Sequence, residues 1–285
     1  MISKAHLENY FKMMRFDRPI GFILLLFPAI TALWIAGYGF PDPIIMVIFI
    51  LGAFTARAAG SVINDYLDRN FDGLVERTKE RPLALGKITE KETLFLFFAL
   101  GFISLLLAFM LNTFTFILAL IAGGLTVLYP LLKRVTHLPQ VGLGIVWSFG
   151  ILMAFSVTRG ELPGIAWLLY FTNLLLTFAY DTMYAMSDMP DDLQIGVKST
   201  AILFGKYASP TIGIFQLVVL ALLILIGNLL SMQIYYYFSL LFVAMFFGYQ
   251  QWLINQGNRE YCFKAFLNNQ WVVLVIFIGV LSGYH

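Results

Sequence analysis

The chain has 285 residues, of which 60% are hydrophobic and 12% charged, with a mean hydropathy of +0.83 and a formal net charge of +2. A soluble domain carries about 25% charged residues, so this composition excludes a disordered chain, a fibrous repeat and an ordinary water-soluble enzyme. The small net charge gives no reason to expect nucleic acid. The single cysteine, Cys262, excludes a disulfide framework, and three scattered histidines (His6, His137, His285) argue against a His-built metal site.

Residues 3–18 interleave Lys4, Lys12, Arg15 and Arg18 with Leu7, Tyr10, Phe11 and Met14, the pattern of an amphipathic helix lying on a membrane surface. No cleavable signal-peptide pattern precedes it. A membrane helix needs about 20 mostly apolar residues. Nine stretches qualify: 19–37, 43–63, 93–111, 113–132, 138–157, 164–184, 208–230, 234–253 and 267–284. Trp34, Tyr38, Tyr129, Trp167, Trp252 and Trp271 sit near their ends, where aromatic belts form. If the connections are assigned alternately to two sides, sixteen of the eighteen Lys and Arg residues fall on the side of the N-terminus. Arg159 alone falls on the other side, and Arg57 lies inside a span. The positive-inside tendency then predicts an all-α, polytopic membrane protein with nine transmembrane helices and a cytoplasmic N-terminus. Two long polar stretches, 64–92 and 185–207, lie on that basic side. They follow the second and sixth spans, a spacing that hints at repeated four-helix units.

Both stretches open on carboxylates. Asn64, Asp68 and Asp72 stand at i, i+4 and i+8, with Asp65 three residues before Asp68, so a helix continuing out of the second span would carry them on one face. In the second stretch Asp181, Tyr184, Asp188 and either Asp191 or Asp192 share a face. Pro190 predicts a kink or an end just before it, which would put Asp191 and Asp192 on a loop. Like charges on one face repel, and a divalent cation would relieve them. With only oxygen donors available, the expected ion is Mg²⁺, shared with substrate phosphates. Two such clusters predict two or more ions clamping a diphosphate leaving group. Arg77, Arg81 and Lys198, which follow the clusters, would add positive charge to it. Arg57 stands seven residues before Asn64 on a similar helical face, and an intramembrane charge is expected to be functional. Gly52, Ala56 and Gly60 have the small-xxx-small spacing of close helix packing.

Asn64-Asp65-x-x-Asp68-x-x-x-Asp72 and Asp188-x-x-x-Asp192 resemble the two acidic motifs of the UbiA superfamily of intramembrane aromatic prenyltransferases. Arg77-Thr78 with Arg81-Pro82-Leu83, Tyr180-Asp181-Thr182-x-Tyr184-Ala185-Met186, and the run from Ile195 to Gly205 resemble the branch acting on 4-hydroxybenzoate in ubiquinone synthesis. So do the segment from Lys133 to Gln140 and Cys262-Phe-Lys-Ala-Phe266. Met189 and Pro190 stand between the ends of the second motif, where close relatives are more acidic.

The resemblance covers essentially the whole chain, 1–285, as one prenyltransferase domain. It implies nine helices around a central cavity in the bacterial inner membrane, with the active site at the cytoplasmic rim. It implies Mg²⁺ held by Asn64, Asp65, Asp68, Asp72, Asp188 and Asp192, with Asn64, Arg77, Arg81 and Lys198 on the diphosphate. It implies a polyprenyl diphosphate donor and 4-hydroxybenzoate as acceptor. Arg57 or Arg134 would take the acceptor's carboxylate beside Tyr184, and Asp181 or a diphosphate oxygen would take the ring proton. The rival readings are a related enzyme with a naphthoate or haem acceptor and, from another class, a membrane transporter.

Overall fold

In a computed structural model, which describes residues 4–284, eleven α-helices run in chain order with no strand among the described residues. They are α1 (Lys4–Met13), α2 (Ile20–Ala36), α3 (Pro43–Asp68), α4 (Glu90–Phe109), α5 (Thr113–Val135) and α6 (Pro139–Arg159). There follow α7 (Gly164–Ile195), α8 (Thr200–Phe204), α9 (Ala208–Leu229), α10 (Ile234–Ile254) and α11 (Arg259–Gly283). A helix lies on each of the nine apolar stretches. Among the described residues seven helices are long and apolar enough to cross a membrane by length and composition, counting α8 and α9 together, and α2 is a shorter apolar helix of 17 residues.

Local chemistry sets many of the helix ends. Asp42 caps α3 by accepting from the Ile44 amide at 2.7 Å, with Pro43 in the first turn. Thr89 and Glu92 form a reciprocal capping box at the start of α4. Gly196 ends α7 with φ of 73°, and its amide donates to Asp192 O. Asn258 caps α11 by accepting from the Glu260 amide at 2.7 Å, so this helix begins at Arg259, eight residues before the apolar stretch does.

α2 lies inside the bundle against α3, α6 and α11, with Leu33 and Ile35 fully buried. α4 is the opposite case, turning Phe95, Phe98, Phe102 and Phe109 outward. Such an exposed apolar face is stable only against lipid or another apolar surface. Of the two glycines in the small-residue stripe on α3, Gly60 approaches a neighbour, where an added Cβ would stand 3.2 Å from Thr126 Cγ2 on α5. Gly52 faces open space.

α1 occupies the first part of the stretch 3–18 and ends at Met13. Met13 packs fully buried with Val62 and Ile88, while Leu7 and Phe11 stay exposed. Tyr10 donates to Glu92 at 3.0 Å, and His6 also reaches Glu92, at 2.7 Å.

Candidate active site

The C-terminal ends of α3, α5 and α7, the start of α6 and the 69–89 connection enclose one cavity of about 280 Å³. Two departures from local expectation shape it. α3 stops at Asp68, so Asp72 lies on a short 3₁₀ turn (Asp72–Leu74) and not on the same helix as Asn64 and Asp68. The connection folds back, with Thr78 donating to Asp72 O at 2.8 Å, and brings Asp72 to the cavity all the same. α7, in contrast, does not end before Pro190 but continues to Ile195. Arg259, from α11, donates to the Ser187 carbonyl at 2.7 Å and pairs with Asp191, and the Glu76 amide donates to Asp191 at 3.1 Å. These contacts hold the turn that proline weakens. Asp188 and Asp192 therefore sit one helical turn apart on the cavity face, while Asp191 is turned away into its pairing with Arg259.

Asn64, Asp68, Asp72, Asp181, Asp188, Asp192, Arg57, Arg77, Arg81, Lys198 and Tyr184 all line the cavity, so both acidic motifs converge on it. Asp65 and Arg134, also expected at the site, do not. Arg134 donates to the Leu67 carbonyl at 2.5 Å and lies over the Phe71 ring, tying the end of α5 to the end of α3.

Three of the cavity's carboxylates are already paired. Arg77 holds Asp188 in a two-point grip, Nε to Oδ1 at 3.0 Å and Nη2 to Oδ2 at 2.7 Å. Arg81 grips both oxygens of Asp72, at 2.9 and 2.8 Å. Lys133 pairs with Asp68. Among the described residues no three acidic, His or Cys side chains gather closely enough to hold a metal ion unaided. The mutual repulsion that pointed to a divalent ion is thus offset largely by the protein's own cations. Burial, more than the charge of Asp188, pushes Asp192 up to about 7, and burial also raises Asp72 despite Arg81.

A hard cation nonetheless fits this wall. Asp68 Oδ1 is buried without a partner, and Asn64 and Asp192 line the same cavity as Asp68. A buried oxygen left without a donor is costly unless something binds it.

Three basic residues that sequence reasoning left as surface or topology charge also belong to this region. Arg15 and Lys133 line the cavity, and Arg259 stands behind the second motif. Their signal, an isolated basic residue near a membrane boundary, is the same one that positive-inside topology produces.

Deeper in, the wall turns aromatic. Trp147, Tyr180, Tyr184 and Phe266 line it, with Tyr184 and Phe266 ring centres 4.8 Å apart. Arg77 covers the Tyr184 ring at 4.6 Å. Arg57 lies 5.6 Å over the Trp147 ring and binds Ser61 through Nη1, and its Nε is buried with no partner. No acidic side chain pairs with it among the described residues. Gly21 of α2 makes room for this guanidinium, since a Cβ there would stand 2.9 Å from Arg57 Cζ. Gly21→Ala should therefore displace Arg57 and, if Arg57 holds an acidic acceptor as the sequence predicts, lower kcat/KM for it roughly tenfold to a hundredfold, with little effect on helix formation. Steady-state kinetics with varied acceptor checks this.

The UbiA prenyltransferase family matches residues 25–278 of this chain. A 4-hydroxybenzoate octaprenyltransferase of Photobacterium profundum is 48% identical over 280 residues, 98% of each chain. Its counterpart in Yersinia pseudotuberculosis serotype O:3 is 50% identical over 277 residues, 97% of this chain and 96% of that one. The apo structure of a UbiA homolog from Aeropyrum pernix superposes with a TM-score of 0.80 at 25% identity, covering 92% of this chain and 96% of that one. A UbiA homolog from Archaeoglobus fulgidus, solved bound to GPP and Mg²⁺, shares the fold with a TM-score of 0.72 at 19% identity, covering 96% of this chain and 99% of that one. With an apolar helical bundle, two acidic motifs on one cavity and relatives matched almost end to end, the chain belongs to the UbiA prenyltransferase family, a family of multi-pass membrane proteins.

Proposed function

We propose that this protein transfers a polyprenyl group, octaprenyl in its relatives' names, from polyprenyl diphosphate to the ring carbon ortho to the hydroxyl of 4-hydroxybenzoate. The product, 3-polyprenyl-4-hydroxybenzoate, would serve ubiquinone synthesis. The observation that carries this reading is the cavity itself. Its rim holds both acidic motifs with their basic partners, and its inner wall offers a buried arginine without an acidic partner, set among aromatic rings. The whole chain acts as one domain. Its nine apolar helices, α2–α7 and α9–α11, each cross the bacterial inner membrane, and the basic end and N-terminus face the cytoplasm.

Arg77, Arg81, Lys133 and Lys198 surround the place where the diphosphate binds, and negative charge grows there as the allylic C–O bond breaks. Mg²⁺, when held by Asn64, Asp68, Asp72, Asp188 and Asp192, supplies further charge neutralisation to that leaving group. The bonding pair leaves with the diphosphate oxygen. Arg57 takes the acceptor's carboxylate and turns the ring carbon beside its hydroxyl toward the allylic carbon. Trp147, Tyr180 and Tyr184 exclude water, which would otherwise capture an electron-deficient allylic group. Once the new C–C bond forms, Asp181 at the cavity wall accepts the ring proton and aromaticity returns.

The test uses purified protein in detergent with octaprenyl diphosphate and 4-hydroxybenzoate. Diphosphate release and formation of the 3-prenylated acid are expected, both lost on adding EDTA and restored by Mg²⁺. A protein that consumes no diphosphate with any aromatic acid defeats the proposal.

A further inference from the structure

The strongest unassigned feature is the carboxylate that the acidic motif carries but the cavity does not reach. Asp65 is fully buried, with 0% of its side chain exposed, one position from Asn64 at the cavity wall. Its Oδ1 accepts from Arg15 Nη2 at 2.5 Å and pairs with Arg81 Nη1 at 2.9 Å. Both guanidiniums line the cavity although their partner does not. Arg81 continues the chain of contacts to Asp72. A run of alternating charges, Arg15–Asp65–Arg81–Asp72, therefore links the N-terminal segment to the second half of the motif.

Arg15 is itself held in an unusual way. Its φ of 60° is left-handed, a conformation that a non-glycine residue keeps only where its surroundings fix it. Met13 is packed under the segment, Phe16 sits against Phe54 with ring centres 5.8 Å apart, and the buried Asp65 carboxylate takes the Arg15 head group. Together these contacts aim a cation from outside the bundle into the site.

We infer that Asp65 is a positioning residue which orients Arg15 and Arg81 toward the diphosphate, and is not a ligand of the metal ion. The inference deepens the reading above and rests on it. Access separates Asp65 from the other carboxylates of the two motifs. Asp68, Asp72, Asp188 and Asp192 line the cavity, where a cation can reach them, and Asp65 does not. A divalent ion brought to its free Oδ2 would have to leave the cavity and pass both guanidiniums that share Oδ1. Removing the carboxylate leaves two arginines close together with one fewer anion between them, so each should swing away from the other and from the leaving-group position.

The test compares Asp65→Asn, Asp68→Asn and the wild type as full-length protein in detergent. Mn²⁺ binding is read by electron paramagnetic resonance. Inorganic pyrophosphate binding is read by calorimetry at saturating Mg²⁺, and KM for polyprenyl diphosphate by steady-state assay. Asp65→Asn should weaken pyrophosphate binding roughly tenfold to a hundredfold and raise the donor KM in step, with Mn²⁺ affinity within about twofold of wild type. Asp68→Asn should weaken Mn²⁺ binding instead. Arg15→Gln, which keeps the Asp65–Arg81 pair, should move pyrophosphate affinity the same way by less, and serves if Asp65→Asn does not fold. Combining Asp65→Asn with Arg15→Gln should cost less than the two single losses together, because they break one unit.

A loss of Mn²⁺ affinity in Asp65→Asn matching that of Asp68→Asn overturns the inference, and so does unchanged pyrophosphate affinity in both Asp65→Asn and Arg15→Gln. Wild-type protein that binds pyrophosphate in this pattern yet transfers no prenyl group would defeat the functional reading and leave the positioning role standing.

Discussion

Replacing Asp68 or Asp188 by Ala is expected to lower prenyl transfer by about 10³-fold or more while the protein still inserts into membranes. The two residues belong to motifs more than a hundred positions apart, yet both line one cavity. Each also neutralises a cation, Lys133 for Asp68 and Arg77 for Asp188. The alanine variants therefore change two things at once, removing a donor oxygen and leaving a largely buried cation without its partner, which destabilises. Asparagine separates the effects. Asp188→Asn keeps the volume and one acceptor for Arg77, so it should lose less thermal stability than Asp188→Ala while transfer is still lost. Measuring diphosphate release beside the melting temperature in both variants distinguishes a lost site from a weakened fold. Undiminished turnover in either alanine variant would defeat the two-motif site.

Arg57→Ala is expected to raise KM for the aromatic acid by roughly two to three orders of magnitude, the scale on which a desolvated charge pair is lost, with the donor KM nearly unchanged. In the proposed reaction Arg57, and not Arg134, takes the carboxylate. Arg57 lines the cavity with a buried Nε that nothing satisfies, whereas Arg134 is outside the lining and donates to the Leu67 carbonyl. Arg134→Ala should instead loosen the junction of α3 and α5 and lower stability, without selectively raising the acceptor KM. Kinetics with each substrate varied in turn separates the two arginines. An Arg57 variant with normal acceptor KM would move the carboxylate site elsewhere.

The sequence by itself determined the features that depend on local pattern. Apolar stretches long enough to span a bilayer appear as long helices, because a helix satisfies its backbone within the segment and needs no distant partner. The capping residues Asp42, Thr89 and Asn258 mark where helices begin for equally local reasons. The pairing of Asn64–Asp72 with Asp188–Asp192 was legible as two copies of one chemical idea on one side of the chain.

The tertiary structure alone decided which groups answer one another. Lys133 meets Asp68 across 65 positions and Arg77 meets Asp188 across 111. No periodicity encodes a contact between residues that far apart in the chain. The same holds for the two places where local rules misled. Pro190 predicts an end to α7, but Arg259 on another helix supports that turn. Helical spacing puts Asp72 on the face of α3, but a back-folded connection delivers it to the cavity by another route. Asp65 and Asp68 show the limit most plainly. They are three residues apart on one helix and alike in chemistry, yet one reaches the cavity and the other is closed between two arginines. The direction of a side chain is local, but what waits for it there is set by the packing of the whole bundle.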